Sequence, residues 1–311
     1  MNVLSFILSN ELEMLSWEGL TILMMWGSSL SVLFLQVFTP MNAPYGRFNN
    51  FVSSWGPQMS FRWGWILQEA PAFVLSSFFF LTGDKTKGFL PFVLGLSSKP
   101  DFDYPNVIAI LMFMTHYFHR AFIYPLRLPD PKPCPVLIVL MAFVFCTVNG
   151  SLQGHMVCNR LDHPLTGSPS SLPPLLLLRL SAGMFYFLLG MWINIEADHQ
   201  MISLKKAHMD KLKDVDRKTL TVKQRYLIPK GSWFDRLSIS CPNYFGECVE
   251  WTGFWLFTGS PSALAFAFFS FAFIGTRALQ THRWYHSTFG KSYPQKRTAF
   301  WPFLPPLFSS V

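Results

Sequence analysis

Long apolar runs, separated by short polar connectors punctuated with Pro and Gly, set the pattern of this chain. Seven stretches approach the roughly 20 apolar residues that a helix needs to cross a bilayer: about 17–38, 63–81, 107–126, 135–154, 174–195, 245–257 and 261–277. The last two count separately because Gly259-Ser260-Pro261-Ser262 is turn chemistry, and a helix rarely continues unbroken through Ser-Pro. No internal repeat, low-complexity tract or soluble domain interrupts the series. The pattern predicts an all-α, multi-pass integral membrane protein of about seven transmembrane helices. It divides into an N-terminal four-helix half (1–160) and a C-terminal three-helix half (161–311).

Composition supports lipid as the solvent. Charged residues make up 14% of the chain, roughly half the share usual in a soluble domain. The 33 Phe and 11 Trp would aggregate on a water-facing surface. The formal charge of +8 does not point to nucleic acid, because the basic residues alternate with acids and flank apolar segments. Ten Lys and Arg fall within 196–243, among them Lys205-Lys206, Lys211, Lys213, Arg217-Lys218, Lys223 and Arg225. Roughly 18 basic residues lie on the face of that loop against about 4 on the other, which predicts a lumenal N-terminus and a cytosolic C-terminus. Glu11 and Glu13 precede the first run and no basic n-region leads into it, so that run is expected to stay in the mature protein. The five cysteines, at 134, 146, 158, 241 and 248, form no CxxC pair, which argues against a zinc site or a disulfide framework.

Ionisable and amide side chains inside such runs are costly, so each is a candidate site residue facing the bundle interior. The second run carries Trp65, Gln68, Glu69 and Pro71; the third carries His116-Tyr117-Phe118-His119-Arg120, with Tyr117 and Arg120 one turn apart on one face. Histidines at 116 and 119, or at 282 and 286, have spacings that metal sites use. The eight in the chain are nevertheless scattered rather than gathered into the dense boxes of a di-iron enzyme, so no metal is expected. On a continuing fifth helix Asn194, Asp198 and Lys205 share a face, and on the sixth Asn243, Glu247 and Glu250 do. These two acid-amide faces suggest a polar pocket reached from the cytosol. No GxGxxG and no Walker-type loop is present, so a nucleotide would be held without them.

At this point the residues resemble a known family. Gly190-Met191, Ile193-Asn194-Ile195 and Asp198 are followed by Tyr226, Ile228-Pro229, Asn243-Tyr244-Phe245-Gly246-Glu247 and Glu250-Trp251. Then come Ala265-Phe266-Ala267-Phe268-Phe269, Arg277-Ala278, Trp284-Tyr285, Tyr293-Pro294 and Pro302-Phe303. Ahead of them, in the same order as in the family, stand Ala43-Pro44-Tyr45-Gly46-Arg47, Gln68-Glu69 with Pro71, His116 to Arg120, Asn149-Gly150 and Leu152-Gln153-Gly154. Together these resemble the steroid 5α-reductases (3-oxo-5-alpha-steroid 4-dehydrogenases).

The resemblance implies a seven-helix enzyme of the endoplasmic reticulum membrane that reduces the Δ4 double bond of a 3-oxosteroid with NADPH. It implies that Glu69 and Tyr117 hold the enone oxygen, where a carboxyl kept from water retains its proton and can donate. It places Asn194, Asp198, Lys205, Asn243, Glu247, Arg277 and Tyr285 at the NADPH site. It puts Trp65, Gln68, Arg120 and Trp251 around the substrate, the two tryptophans as flat apolar walls. The chain departs from the family pattern at Thr281, which stands where a first histidine is usual; at Leu227, for a basic residue; at Ser232-Trp233, for a Gly-Leu step; at Met141, for an Arg in some members; and at Lys205, for the more usual Arg.

Three classes compete. The reductase reading extends to another lipid enone, such as an enoyl thioester or a polyprenyl compound. A membrane methyltransferase acting on isoprenylcysteine or phospholipid shares an ending like Phe289-Gly290-Lys291-Ser292-Tyr293, yet His282-Arg283 stands where paired glutamates would be expected. A catalytically silent membrane scaffold or transporter is the third. NADPH binding separates them.

Overall fold

The computed structural model describes residues 16–38, 48, 55–87, 91, 93–95, 102–162, 173–215 and 219–302. Glu11, Glu13, the Ala43 to Arg47 motif, Arg217-Lys218 and Phe303 lie outside the described residues. Among the described residues, seven long helices follow in order: α1 Trp17–Phe38, α2 Phe61–Thr82, α3 Tyr104–Arg127, α4 Val136–Arg160, α5 Pro174–Lys211, α6 Pro242–Thr258 and α7 Pro261–Phe289. The only sheet among the described residues is a two-residue antiparallel ladder, Gln58–Met59 with Cys134–Pro135, which ties the start of α2 to the start of α4.

The protein is an all-α, multi-pass membrane protein. Helices α2, α3, α4, α5 and α7 are each long and apolar enough to cross a membrane. The other two are α1, with 22 residues, and α6, with 17. Leu23, Met24, Phe34, Phe78, Leu140, Val144, Leu178 and Phe185 are all exposed, the outward apolar surface that lipid requires. Inside, Ile110, Phe113, Leu152, Phe187, Trp251, Phe254 and Phe266 form the packed core.

Two helices outrun the expected apolar spans by three turns or more. The fifth run was expected to end near 195, whereas α5 continues to Lys211. At 38 residues it is about 57 Å long, far beyond a hydrocarbon core of about 30 Å. Its last turns are a polar stem, so hydropathy marks where lipid ends and the helix does not stop there. Likewise α7 runs to Phe289 instead of 277. Proline sits in the first turn of α3, α5, α6 and α7, where the missing N–H costs nothing. The α6–α7 turn is built by Gly259 at φ 67° and by Ser260, whose hydroxyl accepts the Ala263 N–H.

Contact between α5 and α6 is close because glycines line both. Gly183 and Gly190 on one helix face Gly253 and Gly246 on the other, each pair seven residues apart, so the same face recurs every two turns. A Cβ on Gly190 would lie 2.2 Å from the Glu250 nitrogen, and one on Gly246 2.6 Å from the Asn194 nitrogen. Small residues let backbones meet in membrane bundles, where no hydrophobic drive separates helix from lipid. This seam brings the two acid-amide faces together.

Candidate active site

Regular helix in α3 gives way at His119–Ile123 to a π turn, an insertion that often marks functional sites. Arg120 sits in it. Arg120 Nη1 donates to Asp198 Oδ2 at 3.1 Å, and Nη2 stands 3.9 Å from Glu247 Oε2. Asn243 Nδ2 donates to the other Asp198 oxygen at 2.9 Å. Asn194 Nδ2 donates to the Asn243 carbonyl at 2.9 Å and to Glu247 Oε2 at 3.3 Å. The guanidinium lies over the rings of Trp65 and Tyr124, at 5.0 and 4.6 Å, and Trp65 Nε1 donates to the Arg120 carbonyl at 2.9 Å. A planar, always-charged group suits this place, since it bridges two carboxylates while stacking on aromatic faces. The sequence brought Asn194 with Asp198 and Asn243 with Glu247 through their i, i+4 spacing; Arg120 joins them, although it was expected beside the substrate.

Next to this cluster lies a cavity of about 140 Å³ whose lining includes Glu69, Tyr117 and Glu247. Gln68 Nε2 donates to Glu69 Oε1 at 3.1 Å, and Cys146 Sγ donates to Oε2 at 3.7 Å. Asn149 Nδ2 donates to the Tyr117 hydroxyl at 3.2 Å. The apolar wall is aromatic: Phe145 and Phe269 stack at 4.2 Å, Phe269 and Phe273 at 4.1 Å, and Phe266 completes it. Trp65, Gln68, Arg120 and Trp251 do not line this cavity. Trp65 and Arg120 belong to the polar cluster and Gln68 supports Glu69. Trp251 is buried against Phe113, Phe266 and His116, whose Nδ1 pairs with Glu250 Oε1 at 2.8 Å. The flat walls of the cavity are therefore phenylalanines on α4 and α7, where tryptophans of α2 and α6 were expected.

The remaining residues expected at a cofactor lie further out. Lys205 Nζ donates to the carbonyls of Pro129 and Asp130, at 2.6 and 3.2 Å, pinning the α5 stem to the α3–α4 connector. Arg277 is buried, with its guanidinium 4.4 Å from the Phe48 ring. Tyr285 stacks parallel to Tyr293 at 5.1 Å, within a cluster that includes Tyr226 and Trp284. His282 Nδ1 is 2.6 Å from Ser240 Oγ, which is 2.7 Å from the Tyr293 hydroxyl.

The departures also find places. Met141 points outward at 60% exposure. Thr281 is buried. Ser232 has φ 47°, the left-handed region that favours glycine, so the usual Gly at this step has a backbone reason.

Sequence reasoning passed over Cys146 and the aromatic wall, and took Asn149 and Gln153 only as marks of resemblance. Two amides at i, i+4 inside an apolar span were signal enough to make them site candidates.

A membrane-embedded bundle with ionisable side chains converging inside it defines a class, and comparison with known proteins narrows it. Residues 132–305 match the family model described as 3-oxo-5-alpha-steroid 4-dehydrogenase. The chain is 34% identical to 3-oxo-5-alpha-steroid 4-dehydrogenase 2 of Sus scrofa, over 84% of this chain and 87% of that protein. It is 33% identical to the protein of the same name in Homo sapiens, over 89% and 92%. It is 32% identical to steroid 5-alpha-reductase DET2 of Arabidopsis thaliana, over 85% and 88%. The chain belongs to the 3-oxo-5-alpha-steroid 4-dehydrogenase family, a family of oxidoreductases.

Proposed function

We propose that this protein reduces the Δ4 double bond of a 3-oxosteroid, with NADPH as the hydride donor. The observation that carries the reading is one cavity faced by a carboxyl, a phenol and a member of the acid-amide cluster: Glu69, Tyr117 and Glu247. When bound, NADPH supplies the hydride that adds to the β-carbon of the enone. Negative charge then moves onto the carbonyl oxygen, where Glu69 and Tyr117 are the donors that meet it, and a proton from water adds to the α-carbon to give the saturated ketone. At about 140 Å³ the cavity is smaller than the roughly 300–1,000 Å³ of most ligand sites, so it suits the enone-bearing ring, and the phenylalanine wall must part for the rest.

The side chains fit a dinucleotide. Asp198 and Glu247 are acceptors for ribose hydroxyls, and the cationic Lys205 and Arg277 offset phosphate charge. Glu250 Oε2 and Trp251 Nε1, an acceptor and a donor on consecutive residues one turn beyond Glu247, are buried and find no partner among the described residues. A carboxamide offers both complements. The C-terminal half (161–311) holds most of these groups, and the N-terminal half (1–160) supplies Glu69 and Tyr117.

Detergent-purified protein should oxidise NADPH only when a Δ4-3-oxosteroid is added, and should yield the 5α-reduced product. NADPH should be preferred over NADH. Charge reversal at Asp198 or Glu247 should weaken cofactor binding. Absence of NADPH binding, or oxidation supported by an enoyl thioester but by no 3-oxosteroid, would sink the proposal.

The membrane is proposed to be that of the endoplasmic reticulum, with the N-terminus lumenal and the α5 stem, 196–243 and the C-terminus cytosolic, on the strength of the basic bias. Protease added to sealed microsomes should cut within 196–243. Protection of that segment would reverse the orientation.

A further inference from the structure

A buried chain of hydrogen bonds runs from the α6–α7 turn to the cavity. Ser260 Oγ is 3.1 Å from Ser262 Oγ, which donates to Gln153 Oε1 at 3.2 Å. Gln153 Nε2 donates to the Ser262 backbone carbonyl at 3.0 Å and to Asn149 Oδ1 at 3.3 Å. Asn149 Nδ2 donates to the Tyr117 hydroxyl at 3.2 Å. Asn149, Gln153 and Ser262 are all 0% exposed.

The direction of these bonds is forced. A backbone carbonyl can only accept, so Ser262 fixes which end of the Gln153 amide faces it. The Gln153 nitrogen is thereby also presented to Asn149, which must answer with its oxygen. The Asn149 nitrogen is left facing the phenol. Tyr117 oxygen therefore accepts from Asn149, and its own hydrogen is free to point into the cavity beside Glu69. An amide facing the other way would capture that hydrogen.

We propose that Asn149, oriented by Gln153 and the Ser262 carbonyl, is a positioning residue that fixes Tyr117 as a donor toward the cavity. This rests on the proposed reduction, in which Tyr117 must donate to the substrate oxygen. A purely structural role, gluing α3, α4 and α7 together, needs the same bonds but attaches no meaning to their direction.

Asn149→Asp separates the two, because it is nearly isosteric: protonated, it can still donate to the phenol, whereas once ionised it can only accept and draws the phenol hydrogen away from the cavity. Relative to wild type, the turnover number should fall about 10²-fold as the pH is raised far enough to ionise the introduced carboxyl, which burial keeps protonated at lower pH; that is the loss expected when an oxyanion donor is withdrawn. KM should stay within about threefold, since uniform binding is untouched. The ratio of variant to wild-type turnover should recover as pH falls and the introduced carboxyl regains a proton to donate. Glu69, Cys146, Glu247 and His116 around Tyr117 are common to both proteins, so the wild-type profile records their own titration and the difference between the two profiles records what the introduced carboxyl adds.

The tyrosine Fermi doublet in Raman difference spectra against Tyr117→Phe reads the same hydrogen bond without turnover. It should report an acceptor phenol in the wild type and, at the pH where its turnover is lost, a donor phenol in Asn149→Asp. Should a buried carboxyl prevent folding, Asn149→Ser, too short to reach the phenol, should lower turnover about tenfold. A doublet that stays unchanged across the pH range, or a variant with wild-type turnover throughout it, overturns the inference. A shifted doublet in a protein whose wild type reduces no steroid supports the orientation and counts against the proposed function instead.

Discussion

Tyr117→Phe is expected to slow hydride transfer about 10²- to 10³-fold, the cost of about 2.7–4 kcal/mol for removing one preorganised oxyanion donor. The substitution deletes a single hydroxyl and leaves the ring against Phe113, at 4.7 Å, and Trp251, at 6.0 Å, so packing changes little. Substrate affinity should change far less than rate, because the hydroxyl bonds more strongly to the charged oxygen of the transition state than to the neutral ketone.

Glu69→Ala should lose more. It removes a second donor and also strands the groups built around that carboxyl, the Gln68 amide at 3.1 Å and the Cys146 thiol at 3.7 Å. Glu69→Gln retains an N–H that can donate and should fall between wild type and Glu69→Ala. Single-turnover NADPH oxidation, with folding and cofactor affinity matched, measures the step itself. Rates within about threefold of wild type for both Tyr117→Phe and Glu69→Ala, far short of a lost oxyanion donor, would remove these residues from the chemistry.

Those two residues were legible in the sequence because an apolar span tolerates ionisable groups poorly, so each announces a reason for being there. Asn194 with Asp198, and Asn243 with Glu247, were legible through helical spacing, which fixes what shares a face before any tertiary contact is known. Spacing along one helix says nothing about which helix lies opposite, and this limited the rest. Arg120 was read on the Tyr117 face of its helix, and nothing in that spacing points to Asp198 on α5, the carboxylate it meets from the π turn at His119–Ile123. Trp65 and Trp251, which the resemblance places around the substrate, do not line the cavity beside Glu69 and Tyr117. That cavity is walled by Phe145, Phe269 and Phe273, which in a chain with 33 Phe carry no individual signal. The pairing of α5 with α6 did have a signature, glycines seven residues apart at 183 and 190 and again at 246 and 253. In a sequence with 19 Gly it shows only when the two runs are compared.

Gly190→Ala is expected to abolish cofactor binding by separating those helices. The added methyl would meet the Glu250 nitrogen at 2.2 Å, the Gly246 carbonyl oxygen at 2.5 Å and the Glu250 Cα at 2.7 Å, all backbone atoms that no rotamer change can move. Ordinary contact begins near 3.4 Å, so α6 must retreat by about 1 Å. One turn along the same two helices, Asn194 reaches the Asn243 carbonyl and Asn243 reaches Asp198, both at 2.9 Å. A shift of about 1 Å takes such bonds past hydrogen-bond length. His116 would lose its 2.8 Å contact with Glu250 by the same movement. Overpacking alone costs about 1–3 kcal/mol, and each buried group left unpaired adds about as much again. NADPH affinity should therefore fall at least 10²-fold, roughly the 2.7 kcal/mol of two lost bonds, and the unfolding temperature in detergent should drop with it. Gly27→Ala, on α1 where nothing lies within 4 Å of the new methyl, provides the matched control: it should leave NADPH affinity unchanged and should not lower the unfolding temperature. If Gly190→Ala bound NADPH as tightly as Gly27→Ala, close approach of α5 and α6 would not be what assembles the acid-amide cluster.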